Sequence, residues 1–285
     1  MNPMISILKV SCCLLMLVVL ASCASFPLLD TGGIRRMADG RLVSFQEMIG
    51  ELKNDRLIFV GELHDDRTHH ALQLEVIKAL RAAGKQVAIG IEMFSWPSQQ
   101  ALNAWVAREI DLLDFMQVYR QNWTISWEQY DTIFLYARNH GIPMRGLNVP
   151  QEIARKVYRS GFASLTEAEK SLLPPGITCR IDTPYMKFVR DMYFGHGMGG
   201  SSFEHFCEAQ SVRNQTMAWL AVEYLTKNPE RVMVVVTGVG HAMKRGVPEE
   251  VSQLTTMPYK VVLPMLSPEA MRNLKRGDAD YVVAY

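Results

Sequence analysis

The chain has 285 residues, 48% of them hydrophobic, with 30 Lys and Arg against 29 Asp and Glu. The apolar content is ample for a core, and the length suits one large domain or a domain with a sizeable insertion. A charge balance this close to zero, with no basic stripe along the sequence, argues against nucleic acid as a partner.

The first segment carries one positive charge, Lys9, then an apolar run from Val10 to Ala21, then Leu20-Ala21-Ser22-Cys23. Small residues before a cleavage point mark a secretory signal. A cysteine directly after them, with leucine three places before it, narrows that to a lipobox. The run is shorter than the roughly 20 residues that a membrane span needs. Residues 1–22 are therefore expected to be a signal peptide and Cys23 the lipid-bearing residue, palmitate included. Three acyl chains, at roughly 0.8 kcal/mol per buried methylene, would anchor the chain permanently. Residue 24 is Ala rather than Asp, so nothing here marks retention in an inner membrane. An outer-membrane anchor facing the periplasm is the expectation, with residues 23–44 as a tether. Cys179 and Cys207 then remain, in a compartment that permits disulfides. The sequence leaves open whether they pair or stand as two reduced thiols.

Beyond the tether, Leu57–Val60 reads as a strand bounded by Gly61. A helix follows from near Thr68, with Leu72, Val76, Ile77 and Leu80 on its apolar face and Gly84 as its stop. Val87–Ile91 is continuous and apolar, as in a sheet covered on both faces. Strand, helix and strand make a βαβ unit. Helices are expected to about Val106, over Asp111–Tyr119, Trp127–Asn139, Gln151–Tyr158 and Thr166–Leu172, with a short strand at Ile142–Gly146. Phe194–Gly200 is a glycine-rich stretch. A long helix spans roughly Phe203–Leu225, and Val232–Val236 is the clearest strand. Tyr259–Leu263 and Tyr281–Ala284 are also expected strands, the last with an antiparallel edge position open to it. The fold class is α/β: a largely parallel central sheet flanked by helices, spanning residues 45–285, with a smaller helical insertion over about 100–200.

Two segments share one form. Gly61-Glu62-Leu63-His64 follows the first strand, and Gly238-Val239-Gly240-His241 follows the strongest later one. Each is a strand and then Gly-x-x-His. A third strand ends in Gly90-Ile91-Glu92. Ligands of open α/β sheets bind beyond the carboxyl ends of the strands. Glu62, His64, Glu92 and His241 are thus expected in one cleft. Two carboxylates and two imidazoles suit either a divalent metal, held by His64, His241 and Glu92, or acid and base work. The bland alternative is that each histidine only braces a loop. His69 and His70 read as solvated residues early in a helix, and Trp123 and Trp127 as packing. Lys244 and Arg245 fit either an anion at the cleft or an exposed turn.

Gly61–Asp66, Ile91–Phe94, Phe203–Gln210 with Met217-Ala218, and Thr237–His241 occur in that order. Together they resemble the ChaN-like haem-binding, iron-regulated lipoproteins, over about residues 50–285. That family belongs to a wider group with erythromycin esterases, TraB and Tiki proteins, which share the paired Gly-x-x-His motifs. The resemblance implies haem as cofactor, a part in haem and iron uptake with its machinery, and haem held through tyrosine, sometimes between two subunits. It also carries an alternative: a metal-dependent hydrolase using Glu62, His64, Glu92 and His241, so enzymatic activity stays open. One departure counts against hydrolysis. The family pattern places an Asp beside the helix position held here by Asn214.

Haem needs an axial ligand, apolar walls and cations for two propionates. The segment from Tyr185 to His196 offers all three. On a helix Tyr185 and Tyr193 lie about two turns apart on one side. Lys187 and Arg190 are placed to meet propionates, and Met186, Phe188, Met192 and Phe194 to cover the macrocycle. One segment covers one porphyrin face, which is the argument for a haem-linked homodimer. The competing reading is an amphipathic helix packing its aromatics on the core.

Overall fold

A computed structural model of the chain describes residues 32–177, 185–186, 189–190, 202–266 and 275–285. Cys23, Cys179, Lys187, Tyr193 and His196 lie outside these residues, as does the signal segment.

Eight strands form one sheet: β1 (Gly33–Arg36), β2 (Leu42–Val43), β3 (Leu57–Glu62), β4 (Gln86–Ser95), β5 (Met144–Asn148), β6 (Arg231–Gly238), β7 (Tyr259–Pro264) and β8 (Tyr281–Ala284). Their spatial order is β2-β1-β8-β7-β3-β6-β4-β5. From β8 to β5 every neighbouring pair is parallel, and β1 and β2 close one edge antiparallel. The α/β class with a largely parallel sheet is thus as expected. The stretch read as tether is partly folded, since β1 and β2 make an edge hairpin that buries Ile34. The last strand pairs both ways, parallel to β7 and antiparallel to β1.

All six residues of β3 are buried. Its side chains alternate between two cores, as a pleated strand requires. Ile58 and Val60 join Ile89, Ile91, Val234 and Val236 on one face. Leu57 and Phe59 join Met233, Val235 and Val261 on the other. The first face is covered by α1 (Phe45–Leu52), α2 (Arg67–Ala82), α3 (Gln99–Ala107), α4 (Leu112–Asn122) and α5 (Trp127–His140). The helix Phe203–Lys227 covers the second. Two short helices, Gln151–Ser160 and Glu167–Lys170, fill out the inserted region.

Strands β3 and β4 are separated by β6, which enters the sheet late in the chain. From β3 the chain runs outward to β5 on one side, returns through β6, and leaves by β7 and β8 on the other. The order reverses at β3 and β6, the place where open α/β sheets bind ligands.

Candidate functional site

The two Gly-x-x-His motifs end parallel neighbours, with Glu62 in register with Gly238. Their glycines clear room for each other. A Cβ on Gly61 would stand 3.3 Å from the Cα of Val239 and 3.2 Å from the Cβ of Ala242. The short helix Val239–Ala242 packs that closely against β3 and would have to shift to admit a side chain there. A Cβ on Gly238 would stand 3.0 Å from Cε1 of His64. Each motif is thus the seat of the other, which is why a single copy carries little meaning and two carry much.

Glu62, on the last residue of β3, is almost wholly buried. His64 Nδ1 lies 2.5 Å from its Oε1, and His70 Nε2 lies 3.0 Å from its Oε2. The Tyr130 hydroxyl donates to Oε1 at 3.2 Å. Burial opposes ionisation of Glu62, but the bonds from His64 and His70 outweigh it and hold the carboxyl below its usual range. Burial likewise opposes the charged form of His64. The bond to Glu62 and the field of Glu92 overcome it and raise the imidazole to about 9. The His64 side chain keeps 38% of its surface exposed, toward the cleft. Trp123 meets its ring edge-on at 5.0 Å.

Asp66, the last residue of the first motif, caps α2 by accepting from the backbone of Thr68 and His69. That start places His70 against Glu62 and lets His69 Nδ1 accept from the Leu63 amide at 3.0 Å. Both histidines are buried. The expectation that they are solvated is corrected, because docking of α2 on the sheet turns its first turn inward.

Glu92 is also buried and fully occupied. Its Oε2 accepts from the Thr237 hydroxyl at 2.6 Å and the Gly238 amide at 2.8 Å, and its Oε1 from Arg213 at 2.6 Å. Burial works against its charge, but His241, Arg213 and His64 prevail and hold it ionised. His241 is the opposite case. Burial outweighs the Glu92 carboxylate 3.6 Å away and pulls the imidazole down to about 4. A neutral ring donates from Nδ1 to Asn214 Oδ1 at 2.6 Å. That leaves a bare Nε2.

Tyr185 lies 6% exposed, with its hydroxyl hydrogen-bonded to Asn214. Burial pushes its phenol up to about 12. Asn214, which stands near an expected Asp, thus bridges His241 and Tyr185. Tyr185, His64, His241 and Arg213 line one cleft of about 240 Å3, whose apolar walls come from Leu63, Val189, Phe206 and Val239.

The structure therefore brings Glu62, His64, Glu92, His241 and Tyr185 together. It places Arg190 elsewhere: that side chain is exposed and stacks over the Phe203 ring at 4.5 Å. Lys244 and Arg245 pair with Asp280 and Asp278, both at bonded distance, and do not line the cleft. The expected metal set of His64, His241 and Glu92 does not close. Among the described residues no group of three or more His, Cys, Asp or Glu is arranged to hold a metal ion. Glu92 is committed to Arg213, Thr237 and Gly238. Cys207 is a buried free thiol, raised to about 11 by burial. Sequence reasoning missed His70, Tyr130 and Arg213. The one signal available was that His70 follows the Glu-x-His pair within a single helix start.

The fold and the site together define an α/β protein with a mixed imidazole, carboxylate and phenol cleft at the carboxyl ends of its central strands. A family model described as haem-binding uptake, Tiki superfamily, ChaN matches residues 48–251, and the chain belongs to that family. Among solved structures the chain is similar to ChaN of Campylobacter jejuni, determined with cofacial haem binding, at 17% identity and a TM-score of 0.71. That match covers 90% of this chain and 97% of that one. It is similar at 24% identity over 248 residues to the chloroplastic Protein RETICULATA-RELATED 5 of Arabidopsis thaliana, covering 80% of this chain and 33% of that protein. The chain thus spans about a third of the length of that curated relative. A weaker likeness joins it to an erythromycin esterase, EreC, in its open conformation, at 11% identity and a TM-score of 0.49, over 88% of this chain and 82% of that one.

Proposed function

We propose that the chain binds haem in the His64–Tyr185 cleft and serves haem or iron uptake as a lipid-anchored outer-membrane protein facing the periplasm. The observation that carries this is Tyr185, a phenol set in an apolar cleft in a chain of a haem-binding family. The donor chemistry fits the group. Tyr185 offers a phenol oxygen that would ligate on loss of its proton, Val189 and Phe206 offer apolar wall, and Arg213 offers a guanidinium shared with Glu92. Tyrosinate suits carriage of ferric haem rather than its use in redox chemistry. His64, raised to about 9 by the Glu62 bond and the Glu92 field, would likewise have to release a proton before it could ligate.

The cleft of about 240 Å3 is below the roughly 300 Å3 at which small-molecule sites begin, so one subunit covers only part of a porphyrin. A haem-linked homodimer, a second copy covering the other porphyrin face, is part of this reading, with haem promoting association by mass action. Sedimentation of the protein with and without haemin tests it: association should rise with haemin, and unchanged sedimentation of a haemin-loaded chain would remove the dimer.

The anchor rests on the Leu20–Cys23 lipobox. Without the thiol there is no site for diacylglycerol. Cys23→Ser should therefore abolish incorporation of labelled palmitate and release the protein from the membrane fraction. Unchanged labelling would sink the lipoprotein reading.

A hydrolytic reading has one specific observation in its favour. The two motif imidazoles are driven apart, His64 to about 9 and His241 to about 4, as in sites that hold an acid beside a base. It would show as ester turnover lost in His241→Ala. Equal rates in wild type and the His64→Ala, His241→Ala double variant would dismiss it.

A further inference from the structure

The cleft has a neighbour. A second cavity of about 260 Å3 opens beside the carboxyl ends of β4 and β5 and the start of the helix Gln151–Ser160. Arg213 is a wall of both. Arg155 lines the second cavity too, together with Ser95, Asn148 and Gln151. Met93, Val149 and Trp123 supply its apolar side, and Trp123 is the residue that packs on His64.

The two guanidiniums are not equivalent. Arg213 is held by Glu92 at 2.6 Å and by Asn148 Oδ1 at 3.3 Å. Arg155, an exposed side chain, is bonded to the neutral amide of Gln151, and among the described residues no ion pair joins it to a carboxylate. The cavity therefore carries one cation in excess, flanked by amide groups and a flat aromatic wall. A planar guanidinium with open donors is matched to carboxylate. The shared Arg213 sets the two cavities side by side, so a ligand body in one can bring an acid group to the other.

We propose that the Arg155–Arg213 cavity is a carboxylate-binding subsite that receives the acid group of a ligand whose apolar body covers the adjoining cleft. The haem reading supplies the identity of that body; the carboxylate chemistry stands on the cavity itself. Two sources share the chemistry, a haem propionate and the acid group of a separate small molecule.

The test uses full-length protein in detergent, titrated with haemin, with haemin dimethyl ester and, by calorimetry, with succinate. For propionate capture, Arg155→Gln should weaken haemin about tenfold while leaving the Soret position and the affinity for the dimethyl ester unchanged. For a separate acid, haemin affinity is unchanged and succinate binds wild type but not Arg155→Gln. The proposal is overturned if Arg155→Gln alters neither haemin nor succinate binding, or weakens the dimethyl ester as much as haemin. A wild type that binds no haemin ends the haem reading alone, and the succinate arm then decides the subsite, absent binding there overturning it too.

Discussion

Glu62→Ala is expected to destabilise the fold by about 3–5 kcal/mol, measured by urea unfolding at neutral pH. The side chain is 1% exposed and joins three partners from three elements: His64 from the strand end, His70 from α2 and Tyr130 from α5. Removing it leaves buried His70 without its carboxylate acceptor and takes the acceptor of Tyr130 and the counter-ion of His64. Glu62→Gln keeps the shape and one acceptor, so its loss should be smaller. A loss under about 1 kcal/mol for the alanine variant would mean that the three partners find other acceptors, and that Glu62 does not hold the cluster together.

The same residues set how stability depends on pH. His64 is raised from 6.5 to about 9 in the folded chain. Its contribution is whole below 6.5 and is lost as pH rises through about 9. His241 is lowered from 6.5 to about 4, so the unfolded chain binds more protons between those values and stability falls as pH drops through them. The lowered Glu62 and Glu92 add to that acid-side loss, present above their ordinary value and lost below it. Stability should peak near pH 6.5. The alkaline limb should shrink in Glu62→Gln, and an unchanged limb would assign it to another group.

Tyr185→Phe is expected to weaken haemin binding by more than the roughly 10–100-fold that outer-shell partners of a metal confer, and to remove the charge-transfer band of a phenolate complex. The substitution keeps the ring and removes only the oxygen, so packing against Val189 and Phe206 is spared. The pH dependence is the sharper readout. Burial holds the phenol near 12. Ligation as phenolate then releases a proton at every pH below that, and wild-type affinity should rise about tenfold per pH unit between pH 6 and 8. Tyr185→Phe should show no such slope. A variant with wild-type spectrum and slope would move the ligand to another residue.

The strand ends were the legible part of this site. Continuous apolar runs mark β3, β4 and β6 as interior strands, and a residue placed just past such a run can only point to the carboxyl edge. Glu62, His64, Glu92 and His241 could therefore be grouped before any coordinates. His70 and Tyr130 could not. Both sit on helices whose facing depends on how α2 and α5 dock on the sheet, and Tyr130 reaches Glu62 across a sequence separation of 68 residues. Arg213 looks like any cation on a long helix until Glu92 is seen beside it. The arrangement of the expected metal donors was illegible for a related reason. Sequence shows donor types, but not the hydrogen bonds that occupy them, and Glu92 spends both oxygens on Arg213, Thr237 and Gly238. The edge hairpin of β1 and β2 was missed because it is short, and its burial depends on β8 from the far end of the chain.

An equilibrium absorption titration of the purified protein with haemin tests the central claim most directly. The cleft geometry predicts a saturable Soret change ending in a high-spin ferric spectrum of the tyrosinate type. Absorbance that grows linearly with added haemin, with the spectrum of haemin in buffer alone, would contradict it.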